Sequence, residues 1–404
     1  MAKQYRCLHC GNKLVNHQLD KINEIIYFVI LKTFFFYKFG NFKIFNKFLD
    51  HWVLQYYFKI LLSLGVIKID DEFDRKKIIN RALVLIDEAA NQQIKIRPLI
   101  NYKNEYFNNY YLIFQDYNTF FEGLPINLAG KKINFDLIDD KYKLKMFLKS
   151  KHLPFAKGKS FLTKRKGFKY GLKLGFPLVV KPRDGSLSNH VSVEIRSAEE
   201  LKNAIDIVKE YSNFYIVEKF IPGTVHRITV IGENVFAVQR IPATVRGDGY
   251  RTINELIAIK NQHELRGEAD RQDCTLHKIE IDDITLKLLA NQNLNLDSIL
   301  EYGQETILKE KVNLGSGCDI IEVTEEIHPV NKLMALELAE LLNTDILGLD
   351  FICSDIKQSW QEQECAIIEA NSLPYIDMHH YPVVGQSQNV AKAIVDLILK
   401  NSKI

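Results

Sequence analysis

Three oxygen-bearing residues, Asp350, Glu369 and Asn371, have the types and spacing of a magnesium site. Glu369 and Asn371 close the run Ile368-Glu369-Ala370-Asn371, and because side chains alternate faces along a strand, the two point the same way. Asp350 lies on another apolar run, 346–353, that can bring it alongside. Hard oxygen donors suit Mg²⁺, which keeps several waters and is held by one or two carboxylates plus nucleotide phosphates. Strand-end carboxylates are also ordinary rim charges, so the trio gains meaning only together with phosphate-binding groups.

Such groups occur upstream. Lys181 ends the apolar run 176–182, where an ammonium is costly to leave unpaired, and a polar turn from Arg183 to His190 follows, containing Ser186 and Ser188. Turns of this kind present backbone N–H and hydroxyl groups to a polyphosphate. Lys141 opens a predicted helix with Lys145 one turn later, and each taken alone reads as helix-surface charge. Neither a Walker loop nor a Gly-x-Gly-x-x-Gly turn follows a strand, so the nucleotide is not held in P-loop or Rossmann fashion. The run 216–223 offers another means. Its apolar strand ends in Glu218, and the linker Lys219-Phe220-Ile221 can turn main-chain groups toward a purine edge.

Cys7-Leu8-His9-Cys10, followed by Gly11, has the look of one knuckle of a zinc ribbon. A structural zinc wants four ligands, and no second Cys-x-x-Cys occurs. His9, His17 or a second subunit could complete the set, and two reduced thiols are the alternative. Cys274, Cys318, Cys353 and Cys365 read as packing residues.

The elements that must position these groups follow from length and pattern. The 404 residues exceed what one core usually holds, so two or three lobes are expected. Lys plus Arg 53 against Asp plus Glu 50 leaves a net charge of +3, too balanced to imply nucleic acid as a partner. The N-terminus lacks the apolar core of a secretory signal. Residues 25–37 are interrupted by Lys32 and fall short of the roughly 20 apolar residues of a membrane span, so they read as a buried helix and no membrane is expected. Scattered cysteines without an export signal favour a reducing cytoplasm.

Residues 1–125 read as a separate N-terminal domain, largely helical or mixed, with helical apolar spacing over 48–67. A composition shift near Gly123-Leu124-Pro125 introduces alternating strands and helices, the mark of an α+β catalytic region. Strands are predicted at 176–182, 191–196 and 214–218, and a hairpin at 226–240 turning near Gly232. A capping box, Ser197 with Glu200, starts a predicted helix to residue 211, and further helices are predicted at 332–342 and 389–399.

The order of these parts resembles the ATP-grasp superfamily of carboxylate–amine ligases. It is most similar to the ATP-grasp region of cyanophycin synthetases and the corresponding region of bifunctional glutathione synthetases. Besides Lys141, Lys181, 218–221, Asp350 and Glu369-x-Asn371, the resemblance is carried by Arg240-Ile-Pro-Ala-Thr-Val-Arg-Gly-Asp-Gly249 and Thr252-Ile253-x-Glu255-Leu256-Ile257. Leu265-Arg266-Gly267, Asn313-Leu-Gly-Ser-Gly317, Val323-Thr324-x-x-Ile327-His328-Pro329 and Met378-His379 extend it, over roughly residues 136–400.

The resemblance implies two α+β lobes clasping ATP, here 126–217 and 218–404, the second with the metal site. It implies Lys141 and Lys181 on the phosphates and Glu218 with the backbone of Lys219, Phe220 and Ile221 on adenine. Asp350, Glu369 and Asn371 would hold Mg²⁺. ATP and Mg²⁺ are therefore the expected cofactors, with N-terminal zinc left open. Arg227, Arg240 and Arg266 are candidates for gripping substrate carboxylate or phosphate, Arg240 and Lys181 being assigned to catalysis. Asn313 and His379 are candidate substrate residues, while His328 reads as structural.

Three departures stand out. The phosphate turn is Ser186-Leu-Ser-Asn-His190 rather than glycine-rich, Val225 stands where relatives commonly carry an acidic residue for the ribose, with His226 the substitute, and Asp377 replaces a frequent Arg. The last exchange predicts an acceptor with a positive group. The implied reaction activates a carboxylate as an acyl phosphate and couples it to an amine, in one ligation, with small-molecule substrates and a homo-oligomer left open. A glutathione-type peptide ligase and a non-catalytic binding module are the alternatives.

Overall fold

The computed structural model describes residues 5–10, 13–25, 46–126, 131, 133–138, 140–184, 189–268, 271–312 and 314–401. Most of the stretch 25–37, together with Ser186, Ser188 and Asn313, lies outside them. The chain forms two compact units. The first combines Met1–Asn46, Phe135–Gly223 and Asp350–Ala370, and the second combines Lys47–Asn134, Thr224–Leu349 and Asn371–Ile404. Packing therefore groups distant stretches, in place of the contiguous blocks expected from boundaries at 125 and 217. In the first unit Ala156 and Ile221 share an apolar cluster with Ala366, Ile352 and Ile368. In the second, the segment 78–124 shares a core with Ile231, Ile346, Ile376 and the 390–398 stretch.

The first unit is built on a four-stranded antiparallel sheet in the order Gly158–Phe161, Tyr215–Lys219, Leu178–Pro182, Ser192–Ile195. Helices Lys164–Leu174 and Ala198–Tyr211 belong to the same unit, and Leu201, Ile205 and Val208 of the second helix pack with Val180 and Val217 of the sheet. Each such fully buried Val stabilises the fold by about 1.5–3 kcal/mol relative to an exposed one. The Ser197 cap accepts from the Glu200 amide as predicted, but the Glu200 carboxylate returns to the amide of Arg196, one residue before the cap. The reciprocal box is complete at Thr252 and Glu255, which start helix Ile253–Asn261 in the second unit.

The second unit contains a four-stranded antiparallel sheet in the order Ile67–Ile69, Lys95–Asn101, Tyr106–Phe114, Tyr117–Glu122. Residues of helix Asn80–Asn91 share their core with residues of helix Val390–Asn401. The predicted hairpin is present as Thr224–Ile231 and Asn234–Ile241, turning at Gly232 with φ +58°, a left-handed conformation that glycine adopts without strain. On its other side, Asn234–Ile241 pairs antiparallel with Asp319–Glu322. Among the described residues, no helix is long and apolar enough to cross a membrane.

Candidate active site

The register of the first sheet sets the charge chemistry. Glu218 stands opposite Val179, and Lys181 is two residues further along the same strand, so both side chains share a face. Gly158 is the cross-strand partner of Glu218 on its other side, and a Cβ there would lie 2.4 Å from the Glu218 Cβ. Only glycine leaves that approach open. Lys145 adds a second ammonium: its Nζ is 2.7 Å from Glu218, while Lys181 Nζ is 2.8 Å from the same carboxylate. Burial alone would raise the Glu218 pKa, but the two ammoniums outweigh it and hold the carboxyl below its ordinary value. Burial, aided by Lys181, lowers the Lys145 pKa against the pull of Glu218.

Lys145 is thus no surface charge. Its position one turn after Lys141 puts both on one face of helix Lys141–Ser150, and Lys145 also donates to the Ala156 carbonyl at 2.5 Å. No local signal sets it apart from a surface lysine, because its burial depends on Glu218 of the Tyr215–Lys219 strand. Asp140 caps this helix by accepting from the Tyr142 and Lys143 amides, both at 3.0 Å. The same carboxylate grips Arg183, at the start of the polar turn, at 3.0 and 2.6 Å.

Lys141 Nζ lies 3.6 Å from Glu369, and Lys181 Nζ is 3.5 Å from the Ile368 carbonyl. Lys141, Lys145, Lys181, Glu218, Asp350 and Glu369 therefore all fall in one compact unit. Asp350, 7% exposed, and Glu369 lie on neighbouring strands, and Asn371 follows Glu369 on the same face of its strand. The Asn371 amide nitrogen is buried without a hydrogen-bond partner among the described residues. An all-oxygen donor set with two carboxylates fits magnesium better than a thiophilic metal.

In the linker, the Lys219 amide donates to Lys157 and the Phe220 amide to Pro177, so a purine edge would have to use Ile221 or carbonyl oxygens instead of those two amides. Lys219 Nζ is tied to the carbonyls of Gly175 and Phe176 at 3.2 and 2.8 Å. Its side chain is a structural clamp.

The predicted substrate residues of the second unit divide sharply. Arg227 and Arg240 are both buried, and the register, Arg227 opposite Val238 and Arg240 opposite Val225, puts them diagonally on one sheet face. His226, opposite Gln239, points to the other face. Gly348 makes room for Arg227, since a Cβ there would sit 2.7 Å from its Nη1 and 2.8 Å from Pro374 Cβ. Arg266 instead donates to Asp319 and to the carbonyls of His277 and Gly317, which occupy its guanidinium within the fold. His379 is fully buried, with its Nδ1 3.2 Å from Glu322 and its Nε2 3.0 Å from Thr229. Both ring nitrogens are engaged, so its place is structural. His328 caps helix Pro329–Leu341 by accepting from the Val330 amide.

Asp377 corrects an expectation. It begins the short helix Asp377–His380 and is 2% exposed, with Oδ2 accepting from the Thr275 hydroxyl at 2.7 Å. Thr275 in turn accepts from Asn80 at 2.7 Å. Burial pushes the Asp377 carboxyl pKa up. Ile376 and Met378 on either side are core residues and draw the aspartate inward with them, so an incoming acceptor cannot use it. Cys318 and Cys353 are buried, which pushes their thiols up to about 12, whereas Cys274 and Cys365 are only half-buried, Cys365 being pushed up to about 11.

Near the N-terminus, Cys7 and Cys10 are joined by His17 and by His190, the residue that ends the polar turn. All four are buried, and their ligand atoms lie within 4.8 Å of one another. His17 is one of the ligands that the Cys7-Cys10 pair leaves open in the sequence. His190 had no local signal, standing 183 positions from Cys7.

Residues 150–306 match the family described as D-ala D-ala ligase C-terminus. The cyanophycin synthetase of Crocosphaera subtropica is 38% identical over 227 residues, covering 55% of this chain and 26% of that protein. The bifunctional glutathione biosynthesis protein of Clostridium perfringens is 31% identical over 266 residues, covering 65% of this chain and 34% of that protein. The matches thus span about a quarter to a third of the length of these relatives. A bifunctional glutathione synthetase from Pasteurella multocida shares the fold, with a TM-score of 0.61 and 22% identity, over 81% of this chain and 44% of that one.

Proposed function

We propose that this chain, which carries an ATP-grasp ligase region, is an ATP-dependent ligase joining the carboxylate of one small molecule to the amine of another. Amino acids or short peptides are the substrates this reading favours. The observation that carries it is the buried set Lys145, Glu218 and Lys181, with Lys141 beside Glu369. Two ammoniums facing one carboxylate leave a surplus positive charge, which is what a polyphosphate requires and what a purely structural ion pair does not supply.

In the proposed reaction a carboxylate oxygen attacks the γ-phosphorus of ATP, the bond to the bridging oxygen breaks, and ADP leaves. The amine nitrogen then attacks the acyl carbon, phosphate departs, and the amine gives up a proton. Both partners of the first step are anionic, so the work of the protein is to offset charge and hold groups in line. Lys141 and Lys181 would bind phosphate oxygens. Glu218 holds Lys145 and Lys181 in place. Arg227 and Arg240, on one face of their sheet, would grip the substrate carboxylate bidentately. Asp350, Glu369 and Asn371 would hold magnesium, which supplies further charge neutralisation at the phosphates. The Cys7, Cys10, His17, His190 cluster adds a separate capacity to bind a metal.

The test is ADP release from ATP over a panel of amino acids and dipeptides, with the amide product identified by mass. ADP formation that depends on both a carboxylate and an amine supports the reading. Substrate-independent background across the whole panel would sink it.

A further inference from the structure

The four-residue cluster gathers two sulfurs and two ring nitrogens within 4.8 Å of one another. Cys7 Sγ is 3.3 Å from His190 Nε2, Cys10 Sγ is 3.6 Å from His17 Nε2, and the two Nε2 atoms are 3.1 Å apart. Around a tetrahedral zinc, with Zn–S about 2.3 Å and Zn–N about 2.0–2.1 Å, neighbouring ligand atoms stand roughly 3.3–3.8 Å apart. These three spacings lie close to such edges, and all four ligand atoms fall within 4.8 Å of one another.

Proton placement points the same way. His17 Nδ1 is 3.0 Å from the Asp20 carboxylate, and His190 Nδ1 is 2.8 Å from the Ile207 carbonyl. Both partners can only accept, so each Nδ1 donates outward and each Nε2 is turned toward the other ligand atoms. The two Nε2 atoms and the two sulfurs thus face one another in a buried place, where a cation among them would be held by all four. Donation of the second ring nitrogen to a carboxylate or a backbone carbonyl is also how metal-bound histidines are oriented.

The cluster sits where it can matter. Arg183 and His190 bound the polar turn that follows the Lys181 strand, and Arg183 is held by Asp140 at 3.0 and 2.6 Å. At the other end, His190 adopts φ +51°, a left-handed conformation uncommon for a residue other than glycine. Its amide donates to the His9 carbonyl at 3.4 Å, and its ring stacks on Tyr211 at 5.1 Å. Tyr211 also meets the His17 ring edge-on at 5.2 Å, and Asn213 donates to the Lys21 carbonyl at 3.1 Å.

We infer that Cys7, Cys10, His17 and His190 form a closed structural Zn²⁺ site, and that the zinc ties the N-terminal segment to the end of the 183–190 turn. Four protein ligands leave no open position for water, which marks a structural rather than a catalytic zinc. Two thiolates balance the ion's charge, so the buried site is neutral. The consequence for nucleotide binding rests on the ligase reading: with zinc removed, one anchor of the phosphate turn is lost and the KM for ATP rises.

The protein purified without chelator is analysed for metal content, then exchanged with Co²⁺ and examined by visible absorption. One zinc per chain is expected, and a cobalt form with tetrahedral d–d bands and thiolate charge transfer. His190→Ala should give up zinc to chelator concentrations that the parent resists, and should alter the cobalt spectrum. Asp20→Ala, which removes the acceptor of His17 Nδ1, should weaken zinc binding roughly 10–100-fold. Absence of metal, a Cys7–Cys10 disulfide detected by mass, or a His190→Ala protein with unchanged affinity and spectrum would overturn the site. Should that variant fail to fold, X-ray absorption of the parent zinc protein decides alone, two sulfur and two nitrogen ligands being the required count. Metal content does not depend on turnover, so stoichiometric zinc in a protein without ligase activity would refute the ligase reading and leave the site standing. An unchanged KM for ATP after zinc removal would refute the tether.

Discussion

Lys145 and Glu218 meet at 2.7 Å with side chains only 5% and 3% exposed, and Lys181 reaches the same carboxylate from the neighbouring strand at 2.8 Å. Glu218 is therefore the hub of a buried charge cluster. Removing a hub differs from removing a spoke, because only the former leaves two buried ammoniums without a counter-charge.

Glu218→Gln is expected to cost about 3–5 kcal/mol of stability, the usual range for breaking a buried ion pair from one side. Lys145→Met should cost less, because Glu218 keeps Lys181. Urea unfolding of the two variants gives the comparison directly, and equal losses would remove Glu218 from its central place.

Glu369→Gln should lower kcat about 100-fold or more while leaving the urea midpoint near that of the parent, since it removes charge where phosphates are to be held. Glu369 is partly exposed and pairs with Lys141 at 3.6 Å, so little folding energy is at stake. Steady-state ADP release, with circular dichroism as the folding control, measures both. Near-parental turnover in the folded variant would defeat the assignment.

Lys181→Ala should raise the KM for ATP and slow turnover, while Lys145 still pairs with Glu218 and limits the loss of stability. ATP titration of ADP release is the measurement. Unchanged kinetics would make Lys181 a purely structural partner.

Asp377 and Glu218 carry opposite pH signatures. The Glu218 pKa is lowered in the fold, so its contribution is present above the ordinary carboxylate range and is lost as pH falls through the folded value. The Asp377 pKa is raised, so the folded state holds that proton more tightly than the unfolded chain, and stability declines as pH rises from the ordinary aspartate value through the folded one. Asp377→Asn should therefore be near neutral at pH about 3.9 and stabilising at pH about 7. Unfolding at the two pH values tests this. A variant destabilised more at the higher pH would show that ionised Asp377 is favoured by the fold, and a changed acceptor preference would restore it to the substrate site.

What could be read from the chain alone is what depends on neighbours in sequence. Alternation along a strand put Glu369 and Asn371 on one face, an ammonium at the end of an apolar run marked Lys181, and a cap at Ser197 marked a helix start. The order of such parts also carried the ATP-grasp resemblance. Partners across long separations were not readable, because burial and pairing are set by which surfaces meet and not by residue type. Lys145 has the same local signature as a surface lysine until the Tyr215–Lys219 strand brings Glu218 to it. Arg266 and Asp377 look like ligand-binding groups until Asp319 and Thr275 occupy them. Cys7 and Cys10 form half a metal site in the sequence. The other half needs His17 from the next helix and His190 from 183 positions away from Cys7, a closure that only the packing of helix His17–Ile25 beside helix Ala198–Tyr211 makes.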